Sequence, residues 1–138
     1  GIEQYGTPGD VDDRPKSKFV ARVIGASNVL DAVSVSEREV EVAGTRIGIG
    51  QGELAAPGTP MSFCVKTHDL ELTANAPAGA LNTLAGIVRG QAYLGSQRDY
   101  IVDVGQEILI AAPPGFNVPV GTQVHVKFEP DRCRGLTR

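Results

Sequence analysis

Cys64, Cys133, His68 and His125 are the side chains with the widest chemical range in this chain. Converging, they could hold zinc, which takes four nitrogen or sulfur ligands in a tetrahedron. As a Cys–His pair they could supply a nucleophile and its base. Their spacing fits no zinc-ligand pattern, and no nucleophile turn surrounds either thiol. Both cysteines also fit as small strand or core residues. Asp10, Asp12 and Asp13 could open a cation loop, but the glycine and distal glutamate of a calcium loop are missing. The same acids suit the first turn of a helix, where the dipole favours negative charge. Gly48, Gly50 and Gly52 start like a dinucleotide fingerprint, but Glu53 stands where its last glycine belongs and no helical pattern follows. They read as loop and bulge residues. No G-x-x-x-x-G-K-[ST] phosphate loop and no G-x-S-x-G elbow occurs. No catalytic, metal or cofactor-binding residue is assigned on these grounds. The pattern points to a binding or regulatory module, with a β-barrel enzyme using Cys64 or His68 as the rival of another class.

Composition narrows the partners. Lys and Arg total 13 against 16 Asp and Glu, a formal net charge of −3. A nucleic-acid binder is usually strongly basic on one face, so no nucleic-acid partner is expected. Two lone cysteines do not make a secreted disulfide scaffold, which carries more. Free thiols in a reducing compartment are the expectation. No apolar run approaches the ~18 residues that a membrane span needs.

The elements that must position any site are short strands. With 17 glycines and nine prolines, turns are frequent. Thr7-Pro8-Gly9-Asp10 can start a short helix, running to about Asp13, before Pro15 breaks it. Ser17 can cap a second helix, with Phe19, Val20, Val23 and Ile24 at helical spacing and Gly25 as its stop. From Asn28 the period changes to two. Strands are predicted over 29–35, around Val40 and Val42, around Ile47 and Ile49, and over 61–66, with Asp69 to Leu72 in short extended form. Ala74 to Asn82 reads as a connector. A hairpin follows: one arm over 86–94, a turn at Gly95-Ser96-Gln97-Arg98, and a second arm over 99–104. On that second arm Tyr100, Val102 and Val104 face one way and Asp99, Ile101 and Asp103 the other. Residues 106–112 form another strand, and 122–129 the last clear one, with Val124, Val126 and Phe128 inward. Eight or nine short strands without a long helix argue for an all-β barrel or sandwich.

Two stretches together resemble one family. Gly6, Thr7, Pro8, Arg14, Pro15, Phe19, Val20, Ala21, Val23, Ile24, Gly25 and Asn28 are similar to the segment with which ATP-binding subunits of ABC importers leave their nucleotide-binding domain. Gly86-Ile87-Val88, Tyr93-Leu94-Gly95 and Tyr100-Ile101-Val102 resemble the Gly-x-Val, Tyr-Leu-Gly, Tyr-x-Val pattern of the regulatory domain that follows, the transport-associated OB-fold (TOBE) module. Where the family usually has Val-Arg-Pro-Glu, this chain has Val65-Lys66-Thr67-His68. The motif style looks most like importers of polyamines, ferric iron or similar small solutes.

The resemblance implies a small OB-type β-barrel whose segments pair out of simple order. It implies residues 1–25 as a helical connector from a nucleotide-binding domain and residues 26–138 as the barrel. It implies a C-terminal regulatory or dimerisation domain that does no chemistry itself, with ATP and Mg belonging to the full-length ATPase. The implied partners are that nucleotide-binding domain, a second copy of the subunit and a membrane permease. The implied location is the cytoplasm, on the inner face of the membrane. A barrel that senses a solute or regulator by binding it directly is the alternative. Tyr93, Leu94, Arg98 and Phe116 are the candidates for an interface, because aromatic and arginine side chains dominate interface energetics.

Overall fold

The computed structural model describes residues 21–79 and 82–136. Its strands are β1 (Val23–Ile24), β2 (Ser27–Ser34), β3 (Glu39–Val42), β4 (Thr45–Gly48), β5 (Pro60–Lys66), β6 (Glu71–Thr73), β7 (Asn82–Tyr93), β8 (Arg98–Asp103), β9 (Glu107–Ala112), β10 (Gln123–Phe128) and β11 (Cys133–Leu136). Short 3-10 turns at Thr67–Asp69 and Pro130–Arg132 are the helical pieces among the described residues. None of the helices there is long and apolar enough to cross a membrane.

The strands form two antiparallel sheets, β11-β5-β2-β3-β4 and β6-β10-β7-β8-β9, with β1 added to β2. β2 pairs with β5, and β5 with β11. β10 lies between β6 and β7. The chain therefore pairs out of sequence order, as an OB-type barrel does. β7 belongs to both halves of its sheet: residues 82–87 pair with β10, and Ile87 onward with β8. A register shift between Val88 and Gly90 separates the two stretches. An extra residue there bends the strand and increases its twist, which curls the sheet.

Alternation puts the core between the sheets. Leu30, Val40, Val42, Ile47, Phe63 and Val65 meet Leu84, Val88, Tyr100, Val102, Ile108, Ile110, Val124 and Val126 in one buried cluster. The β3–β4 hairpin closes through Ala43 and Gly44, with φ of 50° and 79°. Positive φ at both central residues is the two-residue turn whose twist matches that of the strands.

Three side-chain amides close the seams between the sheets. Asn82 on β7 accepts from Gly48 N–H at 2.8 Å and donates to Gly48 C=O at 2.9 Å, on edge strand β4. Asn28 on β2 accepts from Leu109 N–H at 2.8 Å and donates to Leu109 C=O at 2.9 Å, on edge strand β9. Gln106 accepts from Asp31 N–H at 2.8 Å and donates to Asp31 C=O at 2.9 Å. Each carboxamide presents a donor and an acceptor side by side, as a neighbouring strand would. Buried backbone polar groups need such partners.

Three expectations are corrected. Val23 and Ile24, predicted as the end of a helix, are extended and pair with Asn28 and Ser27. Hydrophobics this close together fit either period, and pairing with β2 decides. Ala21 and Arg22 are not helical either; residues 17–20 of that helix, the earlier one and Asp10, Asp12 and Asp13 lie outside the described residues. Asp99 and Ile101 are buried at 5% and 4% exposure, although alternation sets them on the face of a half-buried strand opposite Tyr100, Val102 and Val104. Ala21, Val23 and Leu109 cover Ile101. Finally, β11 follows the segment read as the last strand. It is held by pairing Cys133, Arg134, Gly135 and Leu136 with Val65, Cys64, Phe63 and Ser62.

Candidate interaction surface

The four chemistry-bearing residues do not converge. Cys64 lies half-buried on β5 opposite Arg134. Cys133 points into the core from β11 at 0% exposure. His68 is exposed on the turn after β5, and His125 sits on β10 in the other sheet. Among the described residues no three His, Cys, Asp or Glu come close enough to share a metal ion. Burial pushes the Cys133 thiol up to about 12, helped by the nearby Cys64, Asp131 and Asp69. A neutral thiol is neither a nucleophile nor a metal ligand. Gly50 and Gly52 sit where the chain passes against the 130–135 segment. A Cβ on Gly50 would lie 2.8 Å from the Pro130 carbonyl oxygen.

The interface candidates do gather, around the β7–β8 turn. Tyr93 and Leu94 are 61% and 50% exposed. Leu94 N–H donates to Gln97 C=O at 2.8 Å and closes the loop. Arg98 pairs across from Tyr93, and its guanidinium lies 5.1 Å from the centre of the Tyr93 ring. A cation over a ring face is attracted by its quadrupole. Arg98 Nη1 also donates to Gln91 Oε1 at 2.8 Å, and Gln91 Nε2 donates to Val118 C=O at 2.8 Å. That chain ties the hairpin to the β9–β10 loop.

Phe116 lies on this loop but is half-buried. Its ring meets Tyr100 edge to face, with centroids 6.1 Å apart. Tyr100 Oη donates to Phe116 C=O at 2.8 Å and accepts from Val118 N–H at 3.0 Å. Phe116 thus supports the loop, while Tyr93 and Leu94 project from the barrel. Gln91 and Tyr100 hold the surface together. Gln91 was passed over in the sequence; its one signal is its position two residues before Tyr93 on a strand, which puts both on one face.

The architecture defines an OB-like barrel with an exposed aromatic hairpin tip. The TOBE domain model matches residues 63–136. This chain belongs to the TOBE domain family. It is 30% identical over 118 residues to the spermidine/putrescine import ATP-binding protein PotA of Acidothermus cellulolyticus, covering 80% of this chain and 31% of that protein. It is 35% identical over 138 residues to the sulfate/thiosulfate import ATP-binding protein CysA of Rhodopseudomonas palustris, covering 96% of this chain and 37% of that protein. The chain spans about a third of the length of these relatives. Among solved structures it superposes on the cytoplasmic molybdate-binding protein ModG with a TM-score of 0.65 at 14% identity, over 81% of this chain and 96% of that one. That likeness concerns the fold.

Proposed function

We propose that this chain is the C-terminal regulatory domain of the ATP-binding subunit of an ABC importer for a small solute, and that it helps two subunits pair. The family match beside two relatives that are import ATP-binding proteins carries this reading. On it, residues 1–25 connect to a nucleotide-binding domain, which supplies ATP and Mg chemistry. The barrel performs no catalysis, and the complex sits on the cytoplasmic face of the membrane against a permease. The solute is a polyamine, ferric iron or a comparable small species; the relatives' own names include spermidine/putrescine and sulfate/thiosulfate.

The pairing surface on this reading is the hairpin tip. Like subunits usually associate about a two-fold axis, so the same patch meets itself. Tyr93 and Leu94 supply exposed apolar area, and Arg98 supplies a cation already held in place. The test is sedimentation of the full-length subunit with Tyr93→Ser and Leu94→Ser together. Interface anchors cost about 2 kcal/mol or more when truncated, or roughly thirtyfold in dissociation constant. Dimerisation should weaken at least that much while basal ATP hydrolysis persists. An unchanged dimer would refute the pairing role, and so would a subunit lacking residues 26–138 that still pairs and responds to solute as the intact one does.

A further inference from the structure

The β7–β8 hairpin runs past the rest of its sheet and leaves one edge open. Leu94 N–H donates to Gln97 C=O at 2.8 Å, which closes a two-residue loop at Gly95 and Ser96. In an antiparallel pair, residues that bond across to the partner strand alternate with residues that do not. Counting back from Leu94, Ala92 and Gly90 bond to β8, while Tyr93 and Gln91 turn their N–H and C=O groups away from it. Val88, beyond the register shift, also points away, and it is satisfied: Val88 N–H donates to Thr122 C=O at 3.0 Å and Gly121 N–H to Val88 C=O at 2.7 Å. The β10 side reaches no further along β7, since its strand pairs end at Ile87. The outward backbone groups of Gln91 and Tyr93 have no hydrogen-bond partner among the described residues.

This edge complements itself. An open edge with exposed apolar side chains is a template for another strand, and Tyr93 and Leu94 on it are 61% and 50% exposed. Two copies related by a two-fold axis through Ala92 run antiparallel. Gln91 of each then faces Tyr93 of the other, and every outward N–H meets an outward C=O. The side chains fit the same register. Ala92 meets Ala92 at the axis, where the Cα atoms of such a non-bonded pair come within about 4.5 Å and a small residue is needed. Leu94 shares the face of Ala92 and lies opposite Gly90 of the second copy, which has no side chain to obstruct it. A shift of two residues would instead pair Gln91 or Tyr93 with itself and set the other against Arg89 or the Gly95 turn. One register alone therefore satisfies all the open groups.

We propose that two copies of this chain join through the open edge of β7, residues 91–93 pairing antiparallel with the same residues of the second copy into one continuous sheet. This rests on the subunit-pairing reading above and supplies its geometry. The test uses the full-length subunit with Ala92→Cys, in a Cys64→Ser background that removes the half-buried native thiol. It is oxidised at a concentration where sedimentation shows a dimer. Cα atoms about 4.5 Å apart lie within disulfide reach, so most of the dimer should become covalently linked. Leu94→Cys is the control: it is well exposed, but its two copies stand roughly 14 Å apart along the strands, and it should link at least tenfold more slowly. Hydrogen exchange needs no substitution and stays decisive if a variant misfolds. The Gln91 and Tyr93 amides of the parent should exchange at least tenfold more slowly in the dimer than at a dilution where the subunit is monomeric. A dimer in which Ala92→Cys links no faster than Leu94→Cys, or in which those amides exchange as in the monomer, would overturn edge pairing and leave subunit pairing standing. Amides already protected in the monomer would overturn it too, since the edge would then be covered within one chain. A subunit that stays monomeric at every concentration would overturn both readings.

Discussion

Replacing Asn82 with leucine tests whether the amide clamps hold the two sheets together. Asn82 is 1% exposed; its two short bonds go to Gly48, itself buried, and its Nδ2 also lies 4.0 Å from Cys133 Sγ. Leucine is of similar size but can neither donate nor accept. The substitution therefore strands one buried N–H and one buried C=O on edge strand β4. Each orphaned group costs about 1–3 kcal/mol, so the loss is about 2–6 kcal/mol. Against the 5–15 kcal/mol typical of a domain, that is a large share. Urea unfolding followed by circular dichroism reads it as a fall in midpoint at constant slope. Asn82→Asp sharpens the test. An ionised carboxylate accepts from Gly48 N–H but faces Gly48 C=O with no proton to give. A protonated carboxyl restores both bonds. Burial and the facing carbonyl raise the folded-state pKa of the introduced group above its unfolded value. Its stability is then fully present below the unfolded pKa and is lost as pH rises through the folded one. The deficit of the Asn82→Asp variant relative to the parent should therefore be smaller at pH 4 than at pH 7. A leucine variant that loses less than about 1 kcal/mol, or an aspartate variant whose deficit is independent of pH, would refute the clamp argument.

Gly95 has φ +85° with nothing near the position of an added Cβ, so Gly95→Val costs backbone strain alone; about 1–3 kcal/mol is expected, and an unchanged melting temperature would show the turn adopting another conformation. The Cys133 thiol is held up at about 12 from an ordinary 9.0, so its contribution is whole below pH 9 and is lost as pH climbs towards 12. Three units correspond to about 4 kcal/mol, and Cys133→Ala should flatten that part of the stability–pH curve while lowering stability at neutral pH. A curve unchanged by the substitution would mean that the thiol ionises freely.

How much of this was legible depends on the distance over which each feature is decided. β5 and β10 show strict alternation, so Phe63, Val65, Val124, Val126 and Phe128 could be placed inward from the sequence. The hairpin is local as well, and Tyr93 and Arg98 face each other because a tight turn sets their register. β11 was not legible. Four residues with a glycine and an outward arginine carry little pattern, and pairing with β5 makes them a strand. The burial of Ile101 was hidden for the same reason, since Ala21 and Val23 come from the far end of the chain. Cys64 and Arg134 become neighbours only through that pairing, so their closeness could not be read along the chain.

The clamps bear on how a partner can approach. A sheet edge with free N–H and C=O groups invites strand addition, and soluble β proteins block such edges. Here Asn82 occupies Gly48 on β4, and Asn28 occupies Leu109 on β9. β2 is open between its pairings with β1 and β3. That gap is filled by Arg22, whose guanidinium donates to Val29 C=O and Asp31 Oδ1, and by Gln106 on the Asp31 backbone. Gln51 exchanges backbone bonds with Cys133 and Gly135 along β11. A partner that added a strand at Gly48 of β4, Leu109 of β9 or the middle of β2 would have to displace one of these side chains. The hairpin tip offers exposed apolar area and an oriented arginine without that displacement.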